Sequence, residues 1–345
     1  MIIPRPRFEE IIKKFNGVSP VIVAGDIGID KYTYGEVKRI SPEAPVPILE
    51  VQKEWRKLGL GANVSDNLKT LGIESTLCGV IGNDRNAEAF EEMVKRRNLK
   101  TRGLVRTTRR NTILKERVIT NSQQICRIDY ESNHKIDQTS SDELLKRVNK
   151  LLKDHQAVII QDYNKGTFNQ KLIENLIAAC KEAGKMINID PHYQTKPESY
   201  KNATLLKPNY PESRALAFAL GLKEDKLENI GDILVDKLNL EKLVITLGSH
   251  GMALLDTKKD GVLHKIPTVA TEVFDVSGAG DTVIGLLTIS LLSGASLEEA
   301  AWIGNGGAGV VVRKKGTATV NLDELKNFHQ KLLRNLTRSS TANAR

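Results

Sequence analysis

The strongest constraint on the fold is an alternation of short apolar runs with helical patterns along most of the chain. The apolar runs are rich in β-branched residues: VIVAGD from residue 21, TLCGVIG from 76, AVIIQD from 157, MINID from 186 and LVITLG from 243. Such runs are typical of strands that are buried on both faces of a parallel sheet. Helical periodicity occurs near 62–71, 84–98, 140–154, 168–183, 209–219, 225–238, 278–292 and 296–312. This order predicts an α/β fold, a doubly wound and mostly parallel sheet flanked by helices.

Two segments break the alternation, at about 31–57 and 111–132. Both are rich in strand formers, and no helical pattern separates the strands within them. They predict a small β-sheet appended to the main sheet, and appended sheets beside a cleft often close over substrate as a lid. We therefore expect one domain over residues 1–335 that carries this lid, followed by a flexible tail over 336–345.

Composition narrows the class of protein. Of the 345 residues, 40% are hydrophobic and 27% are charged, which is usual for a folded globular chain. No apolar run reaches the ~20 residues that a membrane helix needs, and charged residues interrupt the start of the chain where a secretory signal would be apolar. The three cysteines and six histidines have no metal-site spacing. We expect a cytoplasmic protein without a membrane partner or a transition metal.

The net charge of +9 comes from one stretch, residues 95–117, which holds ten Lys or Arg against one Glu. This basic stretch is either a solvated surface or a site for an anionic small molecule such as a phosphate. Nucleic acid is the third alternative, because the stretch lacks the aromatic residues on which bases stack. We predict no nucleic-acid partner.

The sequence DVSGAGD, residues 275–281, places two glycines and an aspartate at the start of a predicted helix. A helix N-terminus has unpaired amides and a partial positive charge, so Gly278, Ala279 and Gly280 can form an anion hole. Asp281 in the first turn can accept a proton from a hydroxyl, and the combination suits phosphoryl transfer. The alternative is a tight strand-to-helix junction in which the glycines serve only packing.

Three further motifs allow both a structural and a functional interpretation. In NYPE, Asn209 and Glu212 have the spacing of a capping box, at a position where α/β folds also bind nucleotides. Gly248 and Gly251 separate two strand patterns, which indicates either a hairpin or a phosphate or adenine contact. Asp30 follows a buried strand and is either a turn former or a ligand of sugar hydroxyls.

These motifs occur in the order found in the ribokinase-like (PfkB) family of carbohydrate kinases, which the chain resembles from about residue 21 to 325. GLGANVSDNLKTLG at 59–72 is similar to the first family signature, and DVSGAGD matches the second. The stretches QQICRIDYES, QDYNKG and AGVVVRKKGTATV further resemble the branch that phosphorylates D-glycero-β-D-manno-heptose 7-phosphate. Bifunctional members of that branch continue into a nucleotidyltransferase domain with an HxGH motif, which this sequence lacks, so we expect the stand-alone kinase.

The resemblance implies transfer of the ATP γ-phosphate to the anomeric hydroxyl of this sugar phosphate, with Mg²⁺ and, in some members, a monovalent cation. It also implies a homodimer formed through the lid strands. By position, the resemblance assigns catalysis to Asp281, Gly278, Ala279 and Gly280. It assigns the binding of ATP and magnesium to Asn209, Tyr210, Pro211 and Glu212, with Glu212 as metal ligand, and the binding of adenosine to Thr246, Gly248, Gly251 and Asn305. The sugar phosphate is assigned to Asp30, Asn63, Lys115, Arg117 and Lys165.

Four residues depart from the heptose-kinase pattern: Leu60, Gln161, Asn164 and His192. Leu60 replaces a glycine near the sugar pocket, and one methylene there is worth ~1 to 3 kcal/mol of discrimination. Kinases for fructose, a hexose phosphate or a nucleoside therefore stay open as alternatives, as does a sensor that keeps the fold without turnover.

Overall fold

The computed structural model describes residues 2–342 except 122, 133 and 271, and side chains as far as residue 334. A nine-stranded sheet has the order β13-β12-β11-β10-β9-β8-β1-β4-β5. Its strands are β1 (Val21–Gly25), β4 (Ser75–Ile81), β5 (Lys100–Arg106), β8 (Ala157–Gln161), β9 (Met186–Asp190), β10 (Leu205–Leu206), β11 (Lys242–Thr246), β12 (Met252–Asp256) and β13 (His264–Ile266). All neighbouring strands pair in parallel except the β11–β12 and β12–β13 pairs. The predicted mostly parallel sheet is confirmed.

Helices cover both faces of this sheet. They are α1 (Arg5–Lys14), α2 (Gly61–Thr70), α3 (Arg85–Arg96), α4 (Gln138–Leu151), α5 (Gln170–Glu182), α6 (Tyr210–Ala219), α7 (Leu227–Leu238), α8 (Ala279–Leu292), α9 (Leu297–Val311) and α10 (Leu322–Ala342). Side chains of β1 alternate between the two cores: Val21 and Val23 pack with α1–α3 and α8–α10, whereas Ile22 and Ala24 pack with α4–α7. The sheet is therefore buried on both faces, as its uninterrupted apolar strands predict.

A second sheet of four strands has the order β3-β2-β6-β7. It consists of β2 (Ile27–Ile40), β3 (Pro47–Leu60), β6 (Ile113–Ile119) and β7 (Gln124–Tyr130). The predicted small sheet is confirmed, with its first pair of strands several residues longer than expected. We call it the lid sheet.

All eight predicted helices are present within a few residues of their predicted bounds. The helices α1 and α10 and the strands β5, β10 and β13 are not among the predicted elements. Helix α10 continues to Ala342, within the part of the chain from residue 336 for which we predict a flexible tail; the flexibility stays a prediction, and residues 343–345 lie outside the described residues. This helix packs on the core through Leu325 and Phe328 near its start, and the helix continues past these two residues. No helix among the described residues is long and apolar enough to cross a membrane.

The order of the strands determines where a ligand can bind. The chain runs outward from β1 to β4 and β5, then returns to the other side of β1 with β8. Open α/β sheets bind ligands at such a reversal, outside the carboxyl ends of the strands. The carboxyl ends of β1, β8, β9 and β10 meet at this edge, and α8 begins there.

Candidate active site

The turn before α8 is built around Gly278. Its φ of +80° lies in the left-handed region that favours glycine. A Cβ atom at this position would also lie 2.7 Å from Nδ2 of Asn63, which is too close. Helix α8 begins at the next residue, Ala279, so the amides of Gly278, Ala279 and Gly280 lie at a helix N-terminus as predicted. Conformation and close approach therefore both require glycine here. The amide of Ala279 donates to the carbonyl oxygen of Val276 at 3.2 Å in this structure, and the amides of Gly278 and Gly280 are placed to bind an anion.

Asp281 is buried in the first turn of α8, with 5% of its surface exposed. Its Oδ2 atom accepts a hydrogen bond from Nδ2 of Asn63 at 2.7 Å. Its Oδ1 atom accepts from Nε2 of Gln161 at 2.9 Å and from the hydroxyl of Tyr163 at 2.6 Å. A carboxylate has about four lone-pair sites, so these three donors leave one for a substrate hydroxyl.

The environment of Asp281 makes it a stronger base than an ordinary aspartate. Burial raises its pKa to about 6, although the hydrogen bonds from Asn63 and Tyr163 lower the pKa and oppose this effect. A carboxylate with this pKa is still mostly ionised at neutral pH, and it holds a proton better than an exposed aspartate. The structure therefore places a carboxylate that is able to act as a general base within the turn that we predict to be an anion hole.

A buried lysine lies across from the turn. Lys207, 3% exposed, follows β10 and its Nζ atom lies 2.9 Å from Oδ1 of Asp190 at the end of β9. A Cβ atom built on Gly280 would lie 3.6 Å from Nζ of Lys207 and 3.8 Å from Oδ2 of Asp190. The turn amides and the ammonium of Lys207 thus border one space, which suits a phosphate group.

The helix α6 begins with the predicted capping box. Oδ1 of Asn209 accepts from the amide of Glu212 at 2.8 Å, and Oε2 of Glu212 accepts from the amide of Asn209 at 2.9 Å. Burial and the charge of Asp190 raise the pKa of Glu212 to about 7. The structural interpretation is therefore confirmed, and it leaves Glu212 electrostatically coupled to Asp190. The hydroxyl of Tyr210 instead donates to Asp225, away from these groups, and the neighbouring Pro211 is an exposed residue of the first turn.

The residues predicted for adenosine lie along the β11–β12 hairpin. Thr246 ends β11 and forms a parallel bridge with Asn209. Gly248 has a φ of +60° and Gly251 has a φ of +89°. A Cβ atom at Gly251 would lie only 2.0 Å from the carbonyl oxygen of Ile266, so no larger residue fits there. The hairpin interpretation is thus correct for this segment. Asn305 of α9 is buried and donates to the carbonyl of Pro267, so it braces the loop beside the hairpin.

The residues predicted for the sugar phosphate are separated into two groups. Nη1 of Arg117 lies 2.5 Å from Oδ1 of Asp30. Lys115 and Lys165 both pair with Glu131, at 3.0 and 2.6 Å. Each predicted phosphate ligand therefore already has a carboxylate partner, and Asn63, which we expect to hold sugar hydroxyls, donates to Asp281 instead.

The basic stretch 95–117 does not form one surface. Its residues extend from α3 through β5 to β6, and their burial differs widely. Arg110 and Lys115 are buried, with 5% and 9% of their surface exposed, so the solvated-surface interpretation is wrong for these two residues. Arg96 and Arg97 at the end of α3 are exposed.

Sequence reasoning missed four residues of the site as functional groups: Gln161, Tyr163, Asp190 and Lys207. Each lies at or just after the carboxyl end of a strand, which is the signal that could have identified them. Gln161 is one of the departures from the heptose-kinase pattern, and it contacts the proposed base. Leu60, another departure, has a φ of +55°, which explains why glycine is the easier residue at that position.

The carboxylates fit Mg²⁺ in the company of phosphate. Burial raises the pKa of both Asp190 and Glu212, and a cation beside them would favour their charged forms. Within the described residues, no three His, Cys, Asp or Glu side chains cluster closely enough to hold a metal ion alone. Mg²⁺ commonly binds through one or two carboxylates, with water and phosphate oxygens as its other ligands.

Comparisons with known proteins agree with this geometry. The sequence model of a family described as pfkB family carbohydrate kinase matches residues 29–324. The chain is 39% identical over 320 residues to a bifunctional protein HldE of Helicobacter pylori strain P12, covering 91% of this chain and 68% of the relative. It is 40% identical to a bifunctional protein HldE of Desulfatibacillum aliphaticivorans over 307 residues, 89% of this chain and 62% of the relative.

Two solved structures show the same fold at low sequence identity. Phosphofructokinase-2 of Escherichia coli in complex with potassium has a TM-score of 0.74 at 18% identity, covering 91% of this chain and 99% of its own. Ribokinase of Arabidopsis thaliana complexed with ribose and ATP has a TM-score of 0.68 at 17% identity, covering 90% and 99%.

Proposed function

Because the chain belongs to the pfkB family of carbohydrate kinases, we propose that it transfers the γ-phosphate of ATP to the anomeric hydroxyl of D-glycero-β-D-manno-heptose 7-phosphate. The product would be the 1,7-bisphosphate, an intermediate towards ADP-heptose and the lipopolysaccharide core. One observation carries the chemistry: the buried carboxylate of Asp281 lies in a glycine turn that borders the same space as the ammonium of Lys207. The identity to relatives named HldE and the shared motifs support the choice of sugar.

In the proposed reaction, the anomeric hydroxyl occupies the remaining acceptor site of Asp281. The hydroxyl proton passes to the carboxylate while the oxygen attacks the γ-phosphorus, and the bond to the β,γ-bridging oxygen breaks to release ADP. The amides of Gly278, Ala279 and Gly280 and the ammonium of Lys207 stabilise the negative charge on the transferring group. Asn63, Gln161 and Tyr163 hold the carboxylate in one orientation.

We place the adenosine of ATP along Thr246, Gly248, Gly251 and Asn305, and its phosphates between α6 and the turn. Glu212 and Asp190 would hold Mg²⁺, which when bound neutralises charge on the phosphates. We do not propose a monovalent cation in the loop that contacts the turn, because the ammonium of Lys57 already donates to the carbonyl oxygen of Thr317 there, at 2.5 Å.

We assign the phosphate of the sugar substrate to cations of the lid sheet and of the loop after β8. Arg117 is our first choice, because its guanidinium can bind a phosphate through two hydrogen bonds. Its partner Asp30 would then be free to accept from a sugar hydroxyl. Lys115 and Lys165 at Glu131 are the second choice.

A substrate panel tests the function. We expect ADP release from ATP with D-glycero-β-D-manno-heptose 7-phosphate to exceed that with fructose, fructose 6-phosphate, ribose and adenosine. A preference for one of the other sugars would contradict the proposed substrate and favour another kinase of this family, for which Leu60 is the relevant departure. If no sugar is phosphorylated, the chain is a sensor that keeps the fold.

The rate should fall in acid because the base must be ionised. We expect kcat/KM for the sugar to rise with pH up to a midpoint near the Asp281 pKa of about 6 and to level off above it. Below that midpoint the rate should drop about tenfold per pH unit, since the protonated carboxyl cannot accept the proton. Initial rates at fixed ionic strength measure this profile, and a flat profile down to the ordinary range of an exposed aspartate would contradict it.

The charge of Glu212 can be tested apart from its role in the helix. Glutamine also closes a capping box, so Glu212→Gln should keep α6 intact while removing one carboxylate from the proposed Mg²⁺ site. We expect the Mg²⁺ concentration for half-maximal rate to rise severalfold, with little change in thermal stability. Glu299→Gln is the matched control, because Glu299 closes the capping box of α9 far from the turn. An equal effect of both substitutions would contradict a metal-binding role.

We also propose a homodimer that forms through the lid sheets. The lid sheet and its β2–β3 connection expose apolar side chains: Val37, Ile40, Val46, Val51, Ile128 and Tyr130. Exposed apolar patches of this kind mark interaction surfaces. We expect Ile40→Glu with Val51→Glu to convert a dimer to a monomer in sedimentation velocity, whereas Val262→Glu, at an equally exposed site outside the sheet, should not. A monomeric parent chain would contradict the proposal.

A further inference from the structure

A strongly basic cavity lies outside the proposed kinase site. It has a volume of about 470 Å³ and is bordered by β3, α2, α3 and the loop after α9. Six cationic residues line it: Arg56, Lys57, Arg96, Arg97, Lys314 and Lys315. Asp66 is the one carboxylate among its described lining residues. We call it the basic cavity, and none of its lining residues belongs to the proposed kinase machinery.

Half of these cations have no carboxylate partner. Arg97 pairs with Asp66 at 2.9 Å, Arg96 with Glu92 and Lys314 with Glu324. Arg56, Lys57 and Lys315 form no ion pair with any described carboxylate. Three cations without a paired carboxylate around one concave surface create a local potential that attracts anions.

The size and composition of the basic cavity select the kind of anion. Its volume lies in the range of ~300 to 1,000 Å³ that is usual for small-molecule sites. None of its lining residues is aromatic, so it offers no platform for stacking the bases of a nucleic acid. Arginine and lysine together suit phosphate groups, through bidentate hydrogen bonds and a point charge respectively.

One loop connects the basic cavity to the catalytic turn. Nζ of Lys57 donates to the carbonyl oxygen of Thr317 at 2.5 Å. The amide of Gly316 donates to Oδ2 of Asp275 at 2.8 Å, three residues before Gly278. Burial lowers the pKa of the Lys57 ammonium, so a neighbouring anion would stabilise its charged form. An anion that draws Lys57 away from Thr317 removes one of the contacts that hold this loop, beside the hydrogen bond from the amide of Thr317 to the hydroxyl of Tyr32.

We propose that the basic cavity binds a small phosphorylated metabolite with at least two negative charges, and that this binding inhibits the kinase through the loop 314–319. The inhibitor would bind without competing with either substrate, because its ligands are separate from those of ATP and sugar.

Inorganic pyrophosphate is the probe for binding. Calorimetry uses the full chain with its nucleotide site filled by a non-hydrolysable ATP analogue and without sugar, so the result does not depend on the sugar identity. We expect one bound pyrophosphate, and Arg56→Ser with Lys315→Ser should weaken it by about tenfold or more. The control is Lys181→Ser with Lys185→Ser, which removes two lysines from a cavity of about 560 Å³ at the opposite end of the strands. This variant should bind as the parent does.

Three outcomes would overturn the proposal. Absence of binding, or equal binding by the parent and the Arg56/Lys315 variant, would exclude the site. Binding without noncompetitive inhibition of ADP release, measured with whichever sugar the panel identifies, would exclude the regulation. Inhibition that disappears in the Arg56/Lys315 variant, with an unchanged rate in the absence of pyrophosphate, supports it.

Discussion

Replacing Asp281 by asparagine should lower kcat by about 100-fold or more while leaving ATP binding nearly intact. The amide cannot take the proton of the acceptor hydroxyl. Its oxygen can still accept from Gln161 and Tyr163, and the amide of Asn63 can rotate to present its oxygen. A neutral amide is also easier to bury than a carboxylate, so the variant should fold at least as well. Steady-state rates and calorimetric titration with an ATP analogue measure the two effects.

Tyr163→Phe is the matched control for Asp281→Asn. It removes one hydrogen bond to the same carboxylate but leaves the base in place. Because that hydrogen bond lowers the pKa of Asp281, its loss should move the acid limb of the pH profile upward and reduce the rate far less. If Asp281→Asn kept a rate within a few-fold of the parent, the role of Asp281 as base would be wrong.

Gly280→Ala should produce a stable but nearly inactive protein. The added methyl group would make only ordinary contacts, at 3.6 Å from Nζ of Lys207 and 3.8 Å from Asp190. Alanine within a helix is also favoured over glycine by roughly 0.5 to 1 kcal/mol. The methyl group would, however, occupy the space between the turn amides and Lys207 where we place the transferring phosphate. We expect kcat to fall on the order of 100-fold, the loss typical of a disabled anion hole.

The control for Gly280→Ala lies in the same helix. A methyl group at Gly285 would meet Leu68 at an ordinary 3.6 Å, away from the site. Gly285→Ala should therefore keep the rate of the parent, with a melting temperature equal to that of the parent or slightly higher. Activity of Gly280→Ala within a few-fold of the parent would show that the space in front of the turn is not used by the phosphate.

The main sheet was predictable because its strands are buried on both faces and so appear as apolar runs. Strand β5 was missed because an edge strand can carry charges, and KTRGLVR was interpreted only as part of the basic stretch. Strand β10 has two residues, which is too short for any periodic signal. Helix α1 mixes charges with Phe8, Ile11 and Ile12, whose burial depends on packing against α10 and the core.

The candidate site was predictable only where one motif contains it. The turn and Asp281 are adjacent in sequence, and so are Asn209 and Glu212 of the capping box. Lys207, by contrast, reaches the turn because β10 lies beside β9 in the sheet, a pairing that no local pattern records. The ion pair of Arg117 with Asp30 depends likewise on the pairing of β6 with β2 in the lid sheet. The ion pair of Lys165 with Glu131 depends on how the lid sheet packs against the loop after β8.

The central claim is the transfer of phosphate to the anomeric oxygen, and ³¹P nuclear magnetic resonance tests it most directly. The chain is incubated with Mg²⁺, ATP and D-glycero-β-D-manno-heptose 7-phosphate, and the products are observed without separation. The account predicts one new sugar-phosphate resonance, coupled to the anomeric proton, that grows in step with ADP and is absent with Asp281→Asn. A new phosphate coupled to any other sugar proton, or ADP formation without a new phosphate ester, would contradict it.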